Sequence, residues 1–244
     1  MKKLTLLLIV ILFTINLAKA QNWAGGIDEE RFNWGYSFQY ISAEYKIWKN
    51  PNWRKPYNDI NGNLTPNDLT SISSKPTPGF AIGFVGNRKI NNNLDLRLTP
   101  TLVFSDRKIT YKYAPYPDGE EIEKKISATM VDLPLSLKLK SDRLMNFRGY
   151  ILGGLKYSID MTSSKKQNNV NIQDEQLKYI NNQKSFLSYE AGAGMDFYFG
   201  FFKMSTELKV SQSFKDIIIH EPTAFTSPID KAKLRHFTFS LFFE

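Results

Sequence analysis

The sequence predicts an all-β protein, an eight-stranded antiparallel up-and-down transmembrane β-barrel with short periplasmic turns and long extracellular loops. Three observations carry this expectation. Apolar and polar residues alternate with a period of two in eight separate segments, the pattern of strands with one dry and one wet face. No stretch after residue 20 approaches the about 18 consecutive apolar residues that a membrane helix needs. The connections alternate long and short along the chain, as an up-and-down barrel requires.

The first twenty residues, MKKLTLLLIVILFTINLAKA, join two lysines, an apolar run and the small-residue ending Ala18-Lys19-Ala20. This is the three-part form of a secretory signal peptide, with cleavage expected before Gln21 and an uncleaved anchor as the alternative. The barrel domain is then residues 21–244. Loss of Lys2, Lys3 and Lys19 takes the formal charge from +8 to 8 − 3 = +5. That surplus is spread along the chain, so a mildly basic surface is expected and no nucleic-acid partner. The chain has no cysteine, which removes disulfides, thiolate metal sites and a cysteine-linked lipid from consideration.

The strands follow in order. WGYSFQYISAEY places Trp34, Tyr36, Phe38 and Tyr40 on one face, and GFAIGFVG does the same with Phe80, Ile82 and Phe84. LDLRLTPTLVFS alternates Leu94, Leu96, Leu98, Leu102 and Phe104 with Asp95, Arg97, Thr99 and Thr101. MVDLPLSLKLK sets Val131, Leu133, Leu135, Leu137 and Leu139 against Asp132, Ser136 and Lys138. YILGGLKYSIDM sets Ile151, Leu155, Tyr157, Ile159 and Met161 against Gly154, Lys156, Ser158 and Asp160. LSYEAGAGMDFYF, FKMSTELKV and LRHFTFSLFFE continue the pattern, the last with Phe237, Phe239, Leu241 and Phe243 on one face. Pro100 and Pro134 fall inside strand patterns, where each removes a ladder donor, so bulges or defects are expected beside them.

Short turns are expected near Lys89–Asn93, Ser141–Phe147 and Gly200–Phe201. Long loops are expected at about Lys46–Thr77, Lys112–Lys124, Ser163–Lys184 and Phe214–Ala232. An even strand count puts both chain termini on the short-turn, periplasmic side.

Which face is inside then decides the chemistry. A soluble lipocalin-like barrel would bury the leucines and expose the charges. The apolar faces here are long, aromatic-rich and present on every strand, which suits lipid contact. A lipid-facing charge at the midplane costs about 2–4 kcal/mol, whereas an inward charge with a partner escapes most of that cost. The expected lumenal network is Asp95, Arg97, Asp132, Lys138, Lys156, Asp160, Glu190, Asp196, Glu207 and Lys209. Eight strands leave an interior just wide enough for side chains. Gly83, Gly153, Gly154, Gly192 and Gly194 are expected to relieve crowding or allow curvature.

Chemistry beyond this is sparse. His220 falls in the last long loop, and His236 is expected to point into the lumen near the mouth. Beside an inward Ser or Glu, His236 offers the elements of a general base, but no local motif supports one, and a structural histidine is the preferred reading. Glu190 with Asp196 or Glu207 offers a carboxylate pair, which their period-two placement assigns to the lumen filling instead. G-x-S-x-G, H-E-x-x-H and nucleotide-binding glycine motifs are absent from the sequence, and neither catalytic residues, cofactor nor metal are expected. The first long loop carries Trp48, Trp53 and Tyr57, either as a docking surface or as part of an aromatic girdle under a folded loop. The second has a turn expected at Pro117-Asp118-Gly119.

Lys75–Tyr111 followed by Val131–Met161 resembles the PorT family. The likeness rests on the G-F-x-I-G strand, the L-D-L-R-x-x-P strand with its following Arg107, the V-D-L-P-L strand and the R-x-Y-I-L-G-G segment. That family comprises outer-membrane barrels of Bacteroidetes associated with the type IX secretion system, and with gliding motility in gliding members. The resemblance implies an accessory role in protein export, with outer-membrane lipid and other secretion subunits as partners and no enzymatic activity. The final strand departs from the usual barrel-insertion ending, because Glu244 follows Phe243.

Overall fold

The computed structural model describes residues 30–59, 62–65, 67–114, 121–162, 169, 172 and 177–244. The expected signal peptide and the Pro117-Asp118-Gly119 turn lie outside the described residues. The strands are β1 (Phe32–Lys49), β2 (Tyr57–Asn58), β3 (Leu64–Thr65), β4 (Leu69–Ser73), β5 (Thr77–Lys89), β6 (Leu94–Leu98), β7 (Thr101–Tyr113), β8 (Glu121–Lys140), β9 (Phe147–Asp160), β10 (Ser185–Tyr198), β11 (Lys203–Ser213) and β12 (Ile229–Phe243).

The wall closes on itself. β1 pairs with β12 on one side and with β5 on the other, and the remaining staves follow in order between them, all antiparallel. β6 and β7 are two halves of one stave, since each is flanked by β5 and β8. Counted this way the ring has eight staves. Closure removes every free edge within the hydrocarbon layer, which is what allows a sheet to cross it.

The break between the halves is at Thr99 and Pro100. Pro100 has no N–H to give the ladder; its carbonyl accepts from Phe84 N–H at 3.0 Å. Pro134, by contrast, lies opposite Lys156 inside an unbroken β8. The defect expected at both prolines is therefore found at Pro100 alone.

Parity places the side chains as the alternation requires. Trp34 is 73% exposed, Phe84 61% and Leu137 50%, and their odd- or even-numbered companions form a continuous outward apolar belt. The intervening residues turn inward and are buried. Tight turns close β5–β6, β8–β9 and β10–β11 at one end. At the other end the chain builds more structure than its alternation reveals. The expected loop Lys46–Thr77 contains the β2–β3 hairpin and β4, which pairs with β7. The expected loop Lys112–Lys124 shrinks, because β7 runs to Tyr113 and β8 starts at Glu121. The expected loop Phe214–Ala232 ends early, as β12 begins at Ile229.

β8 has 20 residues, while a tilted strand crosses a bilayer in about 9–11. Its upper half must project into the medium. The outward residues change accordingly: Lys125 pairs with Asp106 at 2.8 Å, Lys108 with Glu123 at 2.6 Å and Lys112 with Glu121 at 3.0 Å. Inside this projecting end lies an apolar core that includes Tyr45, Leu69, Ile109, Tyr111, Ile217 and Phe225. Tyr111 anchors it by donating from its hydroxyl to the Phe225 carbonyl at 2.7 Å.

Candidate functional site

All ten charged residues expected in the lumen are buried there. They form stacked ion pairs. Lys138 Nζ is 2.7 Å from both Asp196 oxygens, and Ser205 donates to the same carboxylate at 2.6 Å. Arg97 reaches Glu207 at 2.8 Å and Glu244 at 3.5 Å, and donates from Nε to Asn87 at 2.8 Å. Its guanidinium also lies 4.7 Å from the ring of Phe242. Lys209 lies between Glu190 at 3.3 Å and Glu207 at 3.7 Å. Lys156 pairs with Asp132 at 3.0 Å, and Arg107 with Asp160 at 3.7 Å. Asp95 pairs with Lys140 at 2.7 Å.

Burying these ions apart would cost several kcal/mol each, so the arrangement holds only because opposite charges and hydroxyls meet across the lumen. Tyr150 donates to Glu207 at 3.0 Å and carries Lys138 Nζ 3.7 Å from its ring. That ring needs a glycine opposite. A Cβ on Gly194 would lie 2.5 Å from Tyr150 Cζ. Gly153 does not share this role: it faces outward, and a Cβ there would meet nothing closer than 3.8 Å.

Several members of the network lie outside the expected set. Lys140 and Lys203 sit at strand ends, and Glu244 lies beyond the last strand; all three are buried in the network. Glu244 joins Lys203, Arg97 and Asn87. The signal for each was parity, since Lys138, Ser205 and Phe242, two residues away from them in turn, face inward.

The two histidines occupy different places. His236 is buried, with Nδ1 3.2 Å from Lys156 Nζ. An ammonium only donates, so the imidazole accepts there. It sits midway along β12, opposite Ala43 and Ser211, instead of near the mouth as expected. His220 is 2.5 Å from Asp216 on the exposed last loop. The carboxylates considered as acid–base pairs are each matched to a cation: Asp196 to Lys138, and Glu190 and Glu207 to a shared Lys209. Among the described residues no cluster of His, Cys, Asp and Glu could hold a metal ion.

The aromatic loop residues do not share one setting. Trp48 is on the β1 wall, 45% exposed, with Lys233 5.7 Å from its ring. Trp53 is half-buried against the extracellular core, between Lys49 at 4.2 Å and Arg54 at 4.4 Å. Tyr57 belongs to the β2–β3 hairpin, opposite Thr65.

Residues 19–218 match the family model described as "Outer membrane protein beta-barrel domain". A search of curated proteins found no match. Similar solved structures include the outer membrane protein OprG of Pseudomonas aeruginosa, at 10% identity and TM-score 0.46, covering 87% of this chain and 93% of that one. Neisserial surface protein A is 9% identical with TM-score 0.41, covering 87% and 98%. Ail, the attachment invasion locus protein of Yersinia pestis, solved with the heparin analogue sucrose octasulfate, is 12% identical with TM-score 0.37, covering 88% and 99%.

Proposed function

This chain belongs to the outer membrane protein beta-barrel domain family, and from that premise we propose that it is a non-enzymatic accessory subunit of a protein-secretion machine. The PorT-like phrases support a type IX secretion system as that machine, with a contribution to gliding where the cell glides. The protein resides in the outer membrane, in contact with its lipid.

The observation that carries the reading is the filled interior. Ion pairs occupy the lumen from Asp95–Lys140 up to Arg107–Asp160, and the apolar core continues the filling from the level of the upper pairs into the extracellular end. A barrel so filled has no route for a protein cargo, so its contribution to export lies in what its surfaces hold. The four phrases of the resemblance fall on adjoining staves, β5, β6, β8 and β9. Their inward residues Arg97, Asp132 and Tyr150 enter the same network. Other secretion subunits would then be met through the extracellular extension or the periplasmic turns.

Deletion of the gene tests this. Cargo proteins should accumulate in the periplasm and vanish from the cell surface, and complementation should restore them. Normal surface delivery would sink the secretion role and leave a generic structural or adhesive barrel. A barrel enzyme is the remaining reading; replacing His220 and His236 with Gln should leave the deletion phenotype fully complemented, and failure to complement would favour catalysis.

A further inference from the structure

A basic patch sits on the outward wall of β1 and β12, at the upper edge of the apolar belt. On β1 the outward residues run Trp34, Tyr36, Phe38 and Tyr40, then Ser42, Glu44, Lys46 and Trp48. On β12, Phe243, Leu241, Phe239 and Phe237 give way to Arg235, Lys233 and Lys231. The two series meet in register, with Glu44 opposite Arg235, Lys46 opposite Lys233 and Trp48 opposite Lys231.

Strand geometry sets the level of this patch. Glu44 lies ten residues beyond Trp34, about 33 Å of strand. At the usual tilt that is roughly 25 Å of height, the height of a barrel's lipid-facing band. The patch is therefore at headgroup level, on the end that carries the long loops, which is the outer leaflet. Trp48 fits this level, since tryptophan favours the boundary between membrane and water.

The charges do not cancel. Glu44 accepts from Arg235 Nε at 2.8 Å and lies 3.4 Å from Lys46 Nζ. Lys231 is 3.9 Å from Asp230. Lys233 pairs with no acid among the described residues; its ammonium lies 5.7 Å from the Trp48 ring. Four cations thus meet two acids. On β7 and β8, by contrast, Lys108, Lys112 and Lys125 are matched one for one by Glu123, Glu121 and Asp106.

Beside the patch is a groove of about 290 Å³, bounded by Ser42, Glu44, Pro76, Val210, Arg235 and Phe237. Val210 and Phe237 face each other across β11 and β12 and belong to the outward belt. Ser42 supplies the room, being small where the outward β1 residues below it are aromatic. The groove is apolar toward the belt and charged at its top.

We propose that the patch and groove together bind a phosphorylated lipid of the outer leaflet, its phosphate among Arg235, Lys233 and Lys46 and an acyl chain in the groove. A guanidinium has five N–H donors; Arg235 gives one from Nε and one from Nη2 to Glu44. The remaining donors suit phosphate oxygens, and the flanking lysines act as point charges. A soluble anion would meet the cations and leave the groove, while a neutral lipid would fill the groove and leave the charge surplus. An amphiphile with an anionic head matches both, and basic residues at a membrane surface draw anionic lipid. The inference rests on outer-membrane residence and stands without the secretion reading.

Native mass spectrometry of the full barrel in an uncharged detergent tests it. Diphosphoryl lipid A should form a one-to-one complex. Fully dephosphorylated lipid A should bind the same parent barrel about tenfold or more weakly, and inorganic phosphate at millimolar concentration should not displace lipid A. These arms need no variant. Lys46→Gln with Lys233→Gln and Arg235→Gln should weaken lipid A binding by a similar factor, whereas Lys108→Gln with Lys125→Gln should not. Ser42→Phe, which narrows the groove and changes no charge, should also weaken it. Heat-modifiable gel mobility reports that each variant has folded. Equal binding of the dephosphorylated lipid would overturn the proposal, as would displacement by phosphate. So would full affinity in the triple variant or in Ser42→Phe, or an equal loss in the β7–β8 variant.

Discussion

Lys138 has two carboxylate oxygens at 2.7 Å and is fully buried. Lys138→Met would keep most of the volume but leave Asp196 without its bonded cation. Breaking a buried pair on one side costs about 3–5 kcal/mol, whereas replacing both partners is often close to neutral. Lys138→Met should therefore lower the urea midpoint of the barrel in lipid vesicles sharply, and adding Asp196→Asn should recover most of the loss. Equal damage from the single and double replacements would show that the pair is not the unit of stability. Period-two parity in the sequence separates these inward residues from their outward neighbours. It cannot say that Lys138 meets Asp196, because the partner across the lumen depends on barrel stagger, which no local pattern encodes. Lys203 and Glu244 were harder still to recognise, since strand-end residues have a same-face neighbour on one side only.

The staves themselves were legible where lipid and lumen differ most, and less so where both faces meet water or protein. β8 alternates Val131, Leu133, Leu135, Leu137 and Leu139 with polar residues in the belt, and its bounds there follow from the pattern. Above the belt, Glu121–Lys125 is charged outside and half-buried inside, so the period survives while the hydrophobic contrast that reveals it fades. β4 has five residues and one flank, too little to distinguish from loop. The belt gives a direct test of orientation. Leu135 is 49% exposed and faces outward near the middle of the stretch that pairs with β9. Leu135→Arg should cost about 2–4 kcal/mol in a bilayer, measured by urea unfolding from vesicles. Ser136→Thr, one residue away but facing the lumen, would instead press on Gly154, whose Cα lies on the paired strand. Tolerance of Arg at Leu135 would mean that this face does not meet acyl chains.

For the molecule as a whole, the question is whether charge or volume closes the lumen. Eight staves enclose a space about as wide as the side chains that fill it, and here those side chains include Tyr150 and Phe242, with the Arg97 guanidinium within cation–π range of both rings. If volume is decisive, near-isosteric neutralisation should not open a water path. Lys138→Met with Asp196→Asn removes the 2.7 Å pair while leaving nearly the same volume in place. In planar bilayers the parent barrel should show no steady current steps, and this double variant should remain equally silent. Truncation is different. Arg97→Ala with Tyr150→Ala removes two large side chains at one level, and the residual carboxylates Glu207 and Glu244 would then line a hydrated, cation-favouring passage. A cation-selective current confined to the truncated variant fits a lumen closed by packing; steps from the neutralised variant would mean that the charge network itself is the gate.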